Sequence, residues 1–70
     1  MIEKILKEKG EVLFSFNNRY IYIQERVESG FEGDIYESEE AFDNGEDPLD
    51  GGICDCEDAK TAIQFFKEGL

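Results

Sequence analysis

The sequence contains no histidine and no tryptophan, and it has only seven basic residues against 18 acidic ones. Without histidine, the chain lacks the usual general base of neutral pH and the commonest metal ligand. A serine or cysteine activated by histidine is therefore excluded, and we expect no enzymatic activity and no cofactor. The shortage of lysine and arginine also disfavours direct binding of DNA or RNA, because affinity for phosphate comes from clustered basic side chains.

Long apolar runs are also missing. No run approaches the roughly 20 residues that a membrane-spanning helix needs. The first ten residues, MIEKILKEKG, lack the apolar stretch and cleavage site of a signal peptide. We therefore expect a cytoplasmic protein with no membrane partner, and a chain of 70 residues predicts one small acidic domain, residues 1–70.

The net charge of −11 is concentrated in the middle of the chain. Residues 25–58 hold 14 acidic residues and a single basic one, Arg26, whereas the segments on either side are slightly basic. Such an acidic segment destabilises a folded domain through self-repulsion. One interpretation is a solvated face that keeps the protein soluble. The other is a face that binds a strongly basic partner, and it is favoured because solubility needs a net charge of only about 2–8.

Helical patterns are found at both ends of the chain. Apolar residues recur at helical spacing in residues 2–9, and Gly10 is placed to end that helix. Near the other end, Asp55 is predicted as the N-cap of an amphipathic helix. The apolar face of this second helix is predicted to consist of Ala59, Ala62, Ile63, Phe66 and Leu70.

Between these helices the apolar period changes to two, which is typical of strands. Residues 11–16 and 19–27 predict a β-hairpin around Asn17-Asn18, with Val27 on its apolar face. Residues 31–37 predict a third strand, in which Gly33 indicates a bulge or a close approach. Residues 38–54 are predicted as an acidic loop that opens with one helical turn capped by Ser38. The expected fold class is α+β: an N-terminal helix, a three-stranded antiparallel sheet, the acidic loop and a C-terminal helix, with both helices on one sheet face.

Two further patterns could carry chemistry. Cys54-x-Cys56 lacks the two-residue spacing of redox motifs and the additional ligands of a zinc site, and its acidic neighbours would raise a thiol pKa. We expect two reduced cysteines. The segment 43–50 fails the EF-hand pattern, because Gly45 occupies the third position and Pro48 the sixth. A divalent-cation binder built on this segment nevertheless remains one of the alternatives.

The candidate partner-binding residues are acids of the central segment together with aromatic anchors. The predicted acids are Glu32, Asp34, Glu37, Glu39, Glu40, Asp43, Glu46, Asp47 and Asp50. The predicted anchors are Tyr36 and Phe42, because aromatic side chains anchor an interface that charges steer. Tyr20 and Tyr22 are expected on the wetter face of the sheet, where packing and binding explain them equally well.

The element order in this small acidic chain is a helix at 1–10, a hairpin at 11–27, an acidic third strand and a helix at 55–70. This layout resembles small acidic phage anti-CRISPR proteins, most of all those that block a type II CRISPR effector nuclease by mimicking the DNA beside its protospacer-adjacent motif. The resemblance rests on size, charge and element order, and it assigns no functional residue. It implies an inhibitor in the host cytoplasm whose partner is a basic nucleic-acid-binding protein or nuclease complex.

The main alternative is a small structural or regulatory module whose acidic segment only solubilises it. Such a module could form a homodimer through Phe65 and the exposed edge of the hairpin. The oligomeric state is left open by the sequence.

Overall fold

A computed structural model describes residues 1–69. It contains three helices and one antiparallel sheet in which the strands lie in chain order. The elements are α1 (Ile2–Lys9), β1 (Glu11–Phe16), β2 (Arg19–Glu25), β3 (Phe31–Tyr36), α2 (Glu39–Asp43), β4 (Asp50–Cys54) and α3 (Ala59–Glu68). The predicted α+β class is confirmed. Leu70, expected on the apolar face of the last helix, lies outside the described residues.

The predicted hairpin is confirmed, and its turn has the backbone geometry that the two asparagines suggested. Asn17 and Asn18 have φ angles of 52° and 63°, which is the left-handed conformation of a type I′ turn. The strand that follows is shorter than predicted and ends at Glu25. The expected apolar position of Val27 is wrong, because the chain leaves the sheet at Arg26 and Val27 is fully exposed.

The sheet has four strands, so the prediction of three strands and an acidic loop is corrected. Strand β4 pairs with β3 in the register Phe31↔Cys54 and Gly33↔Gly52. Its sequence, DGGIC, has neither the alternation nor the β-branched residues that predict a strand. Pairing with the edge of β3 and burial of Cys54 hold it in place instead.

The core lies between one face of the sheet and the helices α1 and α3, as predicted. It consists of Leu6, Val12, Phe14, Ile21, Ile23, Phe31, Ile35, Cys54, Ala59, Ala62, Ile63 and Phe66. Gly10 ends α1 with a φ of 79° and donates its N–H to the carbonyl of Leu6, so the predicted stop is confirmed. In the part of the chain that the structure describes, no helix is long and apolar enough to cross a membrane.

Gly33 makes the close approach that its position in a strand indicated. A Cβ at this position would lie 2.8 Å from the ring of Phe66, and β3 stays in regular register on both sides, without a bulge.

The predicted start of α3 is wrong by three residues. Asp58 rather than Asp55 is the N-cap, because β4 and its connection to α3 occupy the chain as far as residue 58. The carboxylate of Asp58 accepts a hydrogen bond from the N–H of Thr61 at 2.7 Å.

Candidate functional site

The face of the sheet opposite the core, called here the outer face, carries a cluster of four aromatic rings. The ring of Phe42, from helix α2, lies 5.0 Å from the ring of Tyr36, 5.5 Å from that of Tyr20 and 6.2 Å from that of Tyr22. All four side chains are half-buried. We call these four residues the aromatic cluster.

Strand alternation and a helix cap explain why the cluster forms. Tyr20 and Tyr22 alternate with the buried Ile21 and Ile23, and the register places Tyr36 directly opposite Tyr20. The hydroxyl of Ser38 accepts a hydrogen bond from the N–H of Ala41 at 3.1 Å. The predicted capping role of Ser38 is thus confirmed, and the capped helix places Phe42 over the three tyrosines.

Hydrogen bonds extend the polar part of the outer face across three strands. The hydroxyl of Tyr22 donates to Oε1 of Glu11, on the neighbouring strand, at 2.5 Å. On the other side, Nε2 of Gln24 donates to Oε1 of Glu32 at 3.0 Å. These contacts place the carboxylates of Glu11 and Glu32 beside the aromatic cluster.

The hydrogen bond to Glu11 raises the pKa of Tyr22 to about 12, with further contributions from partial burial and from the charges of Glu11 and Glu32. Partial burial and then the charge of Glu32 raise the pKa of the Asp34 carboxyl. Tyr22 and Asp34 therefore keep their protons to a higher pH than usual, because ionisation would add negative charge to a negative environment. An environment with this property attracts cations.

The other two tyrosines of the cluster lie in the same negative field. Partial burial, followed by the charges of Glu39 and Asp43, raises the pKa of Tyr20. The hydroxyl pKa of Tyr36 is raised by partial burial and then by the charges of Asp34 and Asp47. Carboxylates from β1, β3, α2 and the loop after α2 therefore surround the cluster.

The predicted binding residues fall into three groups. Glu32, Asp34, Tyr36 and Phe42 lie on the outer face, and Glu39, Asp43 and Asp47 act on its tyrosines. Glu37, Glu40 and Glu46 are exposed in the bend after β3, in α2 and in the loop that follows. Asp50 is paired with Ile35 and so lies on the side of β4 that faces away from the outer face.

Sequence reasoning missed Glu11, because this residue precedes the acidic segment 25–58. The signal that finds it is the register of the hairpin. A two-residue turn at Asn17-Asn18 pairs Glu11 with Gln24, and alternation then puts Glu11 on the same face as Tyr22. The sequence pattern explains Tyr20 and Tyr22 equally well by packing and by binding, and the structure places both in the aromatic cluster.

Most of the positive charge lies on the opposite side of the sheet. Five of the seven basic residues are lysines of α1 and α3, the helices that cover the core face. Lys7 pairs with Glu3 at 3.2 Å within α1, and Nζ of Lys67 lies 4.9 Å from the centre of the Phe16 ring. The outward positions of the strands, together with α2, hold no basic residue and six acidic ones: Glu11, Glu32, Asp34, Glu39, Glu40 and Asp43.

In residues 1–69 no three side chains of Cys, Asp or Glu converge in the way that a metal ion requires, and this includes the acids of 43–50. Phe65, the residue expected at a homodimer contact, is half exposed on α3.

No protein-family model matches the sequence, and neither a curated protein nor a solved structure shows significant similarity to this chain.

Proposed function

We propose that this protein is a non-enzymatic inhibitor that presents its outer face to a basic nucleic-acid-handling protein in place of DNA or RNA. The observation that carries the proposal is the aromatic cluster surrounded by carboxylates, on a face where the outward strand positions and the covering helix hold no basic residue. The resemblance in layout to anti-CRISPR proteins makes a nuclease complex of bacterial defence the first candidate target.

The spacing of the carboxylates supports mimicry of a phosphate backbone. Glu32 and Asp34 are two residues apart on one strand, so their side chains leave the sheet at points about 6.7 Å apart. Every second phosphate of a DNA strand is separated by about 6.8 Å along the helix axis. A row of acids on a sheet can therefore pair with the lysines and arginines that line a nucleic-acid channel, and it would compete with the nucleic acid for them.

The aromatic rings add an attraction that charge alone does not supply. An arginine of the partner can stack its guanidinium on a ring while it pairs with a neighbouring carboxylate. Tyr20 and Phe42 offer such rings, with Glu39 and Asp43 close to Tyr20. Half-buried aromatic side chains of this kind are the usual energetic centre of an interface.

Two charge-reversal variants separate a specific face from general acidity. The test variant is Asp43→Lys with Asp47→Lys, which changes the charge around the cluster. The matched control is Glu8→Lys with Glu68→Lys, which changes the net charge equally but on the helices α1 and α3. Three of these sites lie in the last turn of a helix, where lysine suits the helix dipole.

The readout is a pull-down from nuclease-treated bacterial lysate at low salt, with mass spectrometry of the proteins that duplex DNA elutes. We expect the wild type and the control variant to retain one dominant nucleic-acid-binding protein, and the test variant to lose it. Binding should weaken steeply as salt is added. Equal binding by both variants, or a mixture of unrelated basic proteins, would support the alternative that the acids only solubilise the domain.

A further inference from the structure

The sulfur atoms of Cys54 and Cys56 are in direct contact, at 2.8 Å. Cys54 is the last residue of β4 and is 5% exposed, whereas Cys56 lies in the connection to α3 and is half-buried. A disulfide bond is about 2.0 Å long. A bond between the two sulfurs therefore needs them to approach by only about 0.8 Å, which is a small movement.

Only one of the two thiols is open to a reagent. Cys56 lines an open groove of about 570 Å³ between the turn after β2 and the start of the β4–α3 connection, and Cys54 is absent from its walls. The charged residues of this groove are one base and four acids: Arg26, Glu25, Glu28, Asp55 and Glu57. A cationic molecule is therefore attracted to Cys56 and an anionic one is repelled.

We propose that Cys54 and Cys56 form an oxidisable dithiol site whose reaction partner is a small, positively charged disulfide. This inference does not depend on the proposed function, because the site lies at the junction of β4 and α3 rather than in the aromatic cluster. Cys56 is the attacking thiol, since it is accessible, and Cys54 is the thiol that resolves the intermediate.

The reaction consists of two exchanges. In the first, the thiolate of Cys56 attacks one sulfur of the small disulfide, a mixed disulfide forms, and the first small thiol leaves and takes up the proton that Cys56 lost. In the second, the thiolate of Cys54 attacks Sγ of Cys56, the mixed disulfide breaks, and the second small thiol leaves with the proton from Cys54. The protein dithiol is oxidised by two electrons, and the small disulfide is reduced to two thiols.

The surroundings of Cys56 make this oxidation slow at neutral pH. Burial, followed by the hydrogen bond with Cys54 and the charges of Asp58 and Asp55, raises the pKa of Cys56 to about 12. The same groove receives further negative charge from Glu57, from Glu25 at the end of β2 and from Glu28 in the turn that follows, and Arg26 is the opposing cation. The rate should therefore rise as the pH is raised from 7 to 10, because the thiolate fraction of Cys56 rises.

The experiment treats the reduced full chain at pH 8 with cystamine, which is cationic, or with oxidised glutathione, which is anionic. Intact mass and thiol titration follow the products. The wild type should lose both thiols and end two hydrogen atoms lighter, with no adduct. Cystamine should react at least tenfold faster than glutathione disulfide at low salt, and added salt should reduce this difference.

Two variants test the assigned roles. Cys54→Ser should stop at a mixed disulfide on Cys56, and Cys56→Ser should react at least tenfold more slowly than the wild type, because Cys54 is buried. A wild type that keeps two adducts, forms disulfide-linked dimers or keeps both thiols would overturn the dithiol site, and this result needs no variant to fold. Equal rates with the two disulfides would overturn the preference for a cationic partner.

Discussion

The packing of Phe66 over Gly33 gives the sharpest test of the fold. Gly33 lies in the middle of β3, and a Cβ there would come within 2.8–2.9 Å of three carbons of the Phe66 ring. Phe66 is 4% exposed and enclosed by the core, so its ring has little room to move. Replacing Gly33 by alanine should therefore force a shift in α3 or in the sheet.

The magnitude follows from two opposing effects. Overpacking of a core costs about 1–3 kcal/mol. Replacement of glycine also restricts the unfolded chain, which stabilises the folded state by about 0.4–1 kcal/mol. The difference between these ranges is about 0–2.6 kcal/mol, and its centre predicts that Gly33→Ala lowers the free energy of unfolding by about 1.3 kcal/mol. In a chain of this size that corresponds to a fall in Tm of roughly 5–10 °C.

Gly52→Ala is the matched control, because Gly52 is the cross-strand partner of Gly33 and a Cβ there would meet no atom within 4 Å. This variant should be neutral or up to about 1 kcal/mol more stable than the wild type. Urea and thermal unfolding, followed by circular dichroism, measure both variants. Equal midpoints for Gly33→Ala and Gly52→Ala would show that the Phe66 ring does not restrict a side chain at position 33. A shorter side chain in Phe66→Leu should partly rescue Gly33→Ala, with a coupling of at least about 0.5 kcal/mol.

Three further predictions concern ionisable groups. Partial burial raises the pKa of Asp34, so the charge of this carboxylate opposes folding at neutral pH. Asp34→Asn should therefore raise the urea midpoint at pH 7, and this gain should vanish below about pH 4, where the acid is protonated. Glu11→Gln should lower the pKa of Tyr22 from about 12 toward its ordinary value of 10.0, which an alkaline absorbance titration detects. Asp58→Ala should lower the Tm at pH 7 while Asp55→Ala does not, because only the first carboxylate caps α3. The hydrogen bond from the helix lowers the pKa of Asp58, so the cap stabilises the folded state above about pH 4 and this stabilisation is lost in acid. A Tm difference between the two variants that persists at pH 2 would contradict this role of the Asp58 charge.

The parts of the fold that sequence predicts are those decided by neighbouring residues. The hairpin depends on two asparagines that adopt positive φ and on the alternation that flanks them. The end of α1 depends on one glycine, and the cap of α2 on one serine. Strand β4 is different, because the segment DGGIC becomes a strand only when β3 lies beside it.

The same distinction applies to the outer face. A count of charge along the chain finds the acidic segment, but it cannot show that Glu11 joins Glu32 on one face while Asp50 lies on the other side of β4. The register of the strands decides both placements. A shift of one residue in that register would exchange the two faces of a strand. Prediction of the site therefore requires the strand pairing, which depends on residues distant in sequence.

Helix α2 carries both an aromatic residue of the cluster, Phe42, and two of the acids beside it, Glu39 and Asp43. A helix of five residues is unstable alone, so packing of the buried Ala41 and of Phe42 against the outer face must hold it. The same packing brings Glu39 and Asp43 close to Tyr20. Truncation of Phe42 would thus remove an aromatic ring and also displace Glu39 and Asp43. A loss of binding in such a variant could not be assigned to the ring or to the acids alone. The paired charge reversals leave Phe42 in place. They therefore test, better than an alanine at this position, whether the proposed basic partner recognises the charge of the outer face.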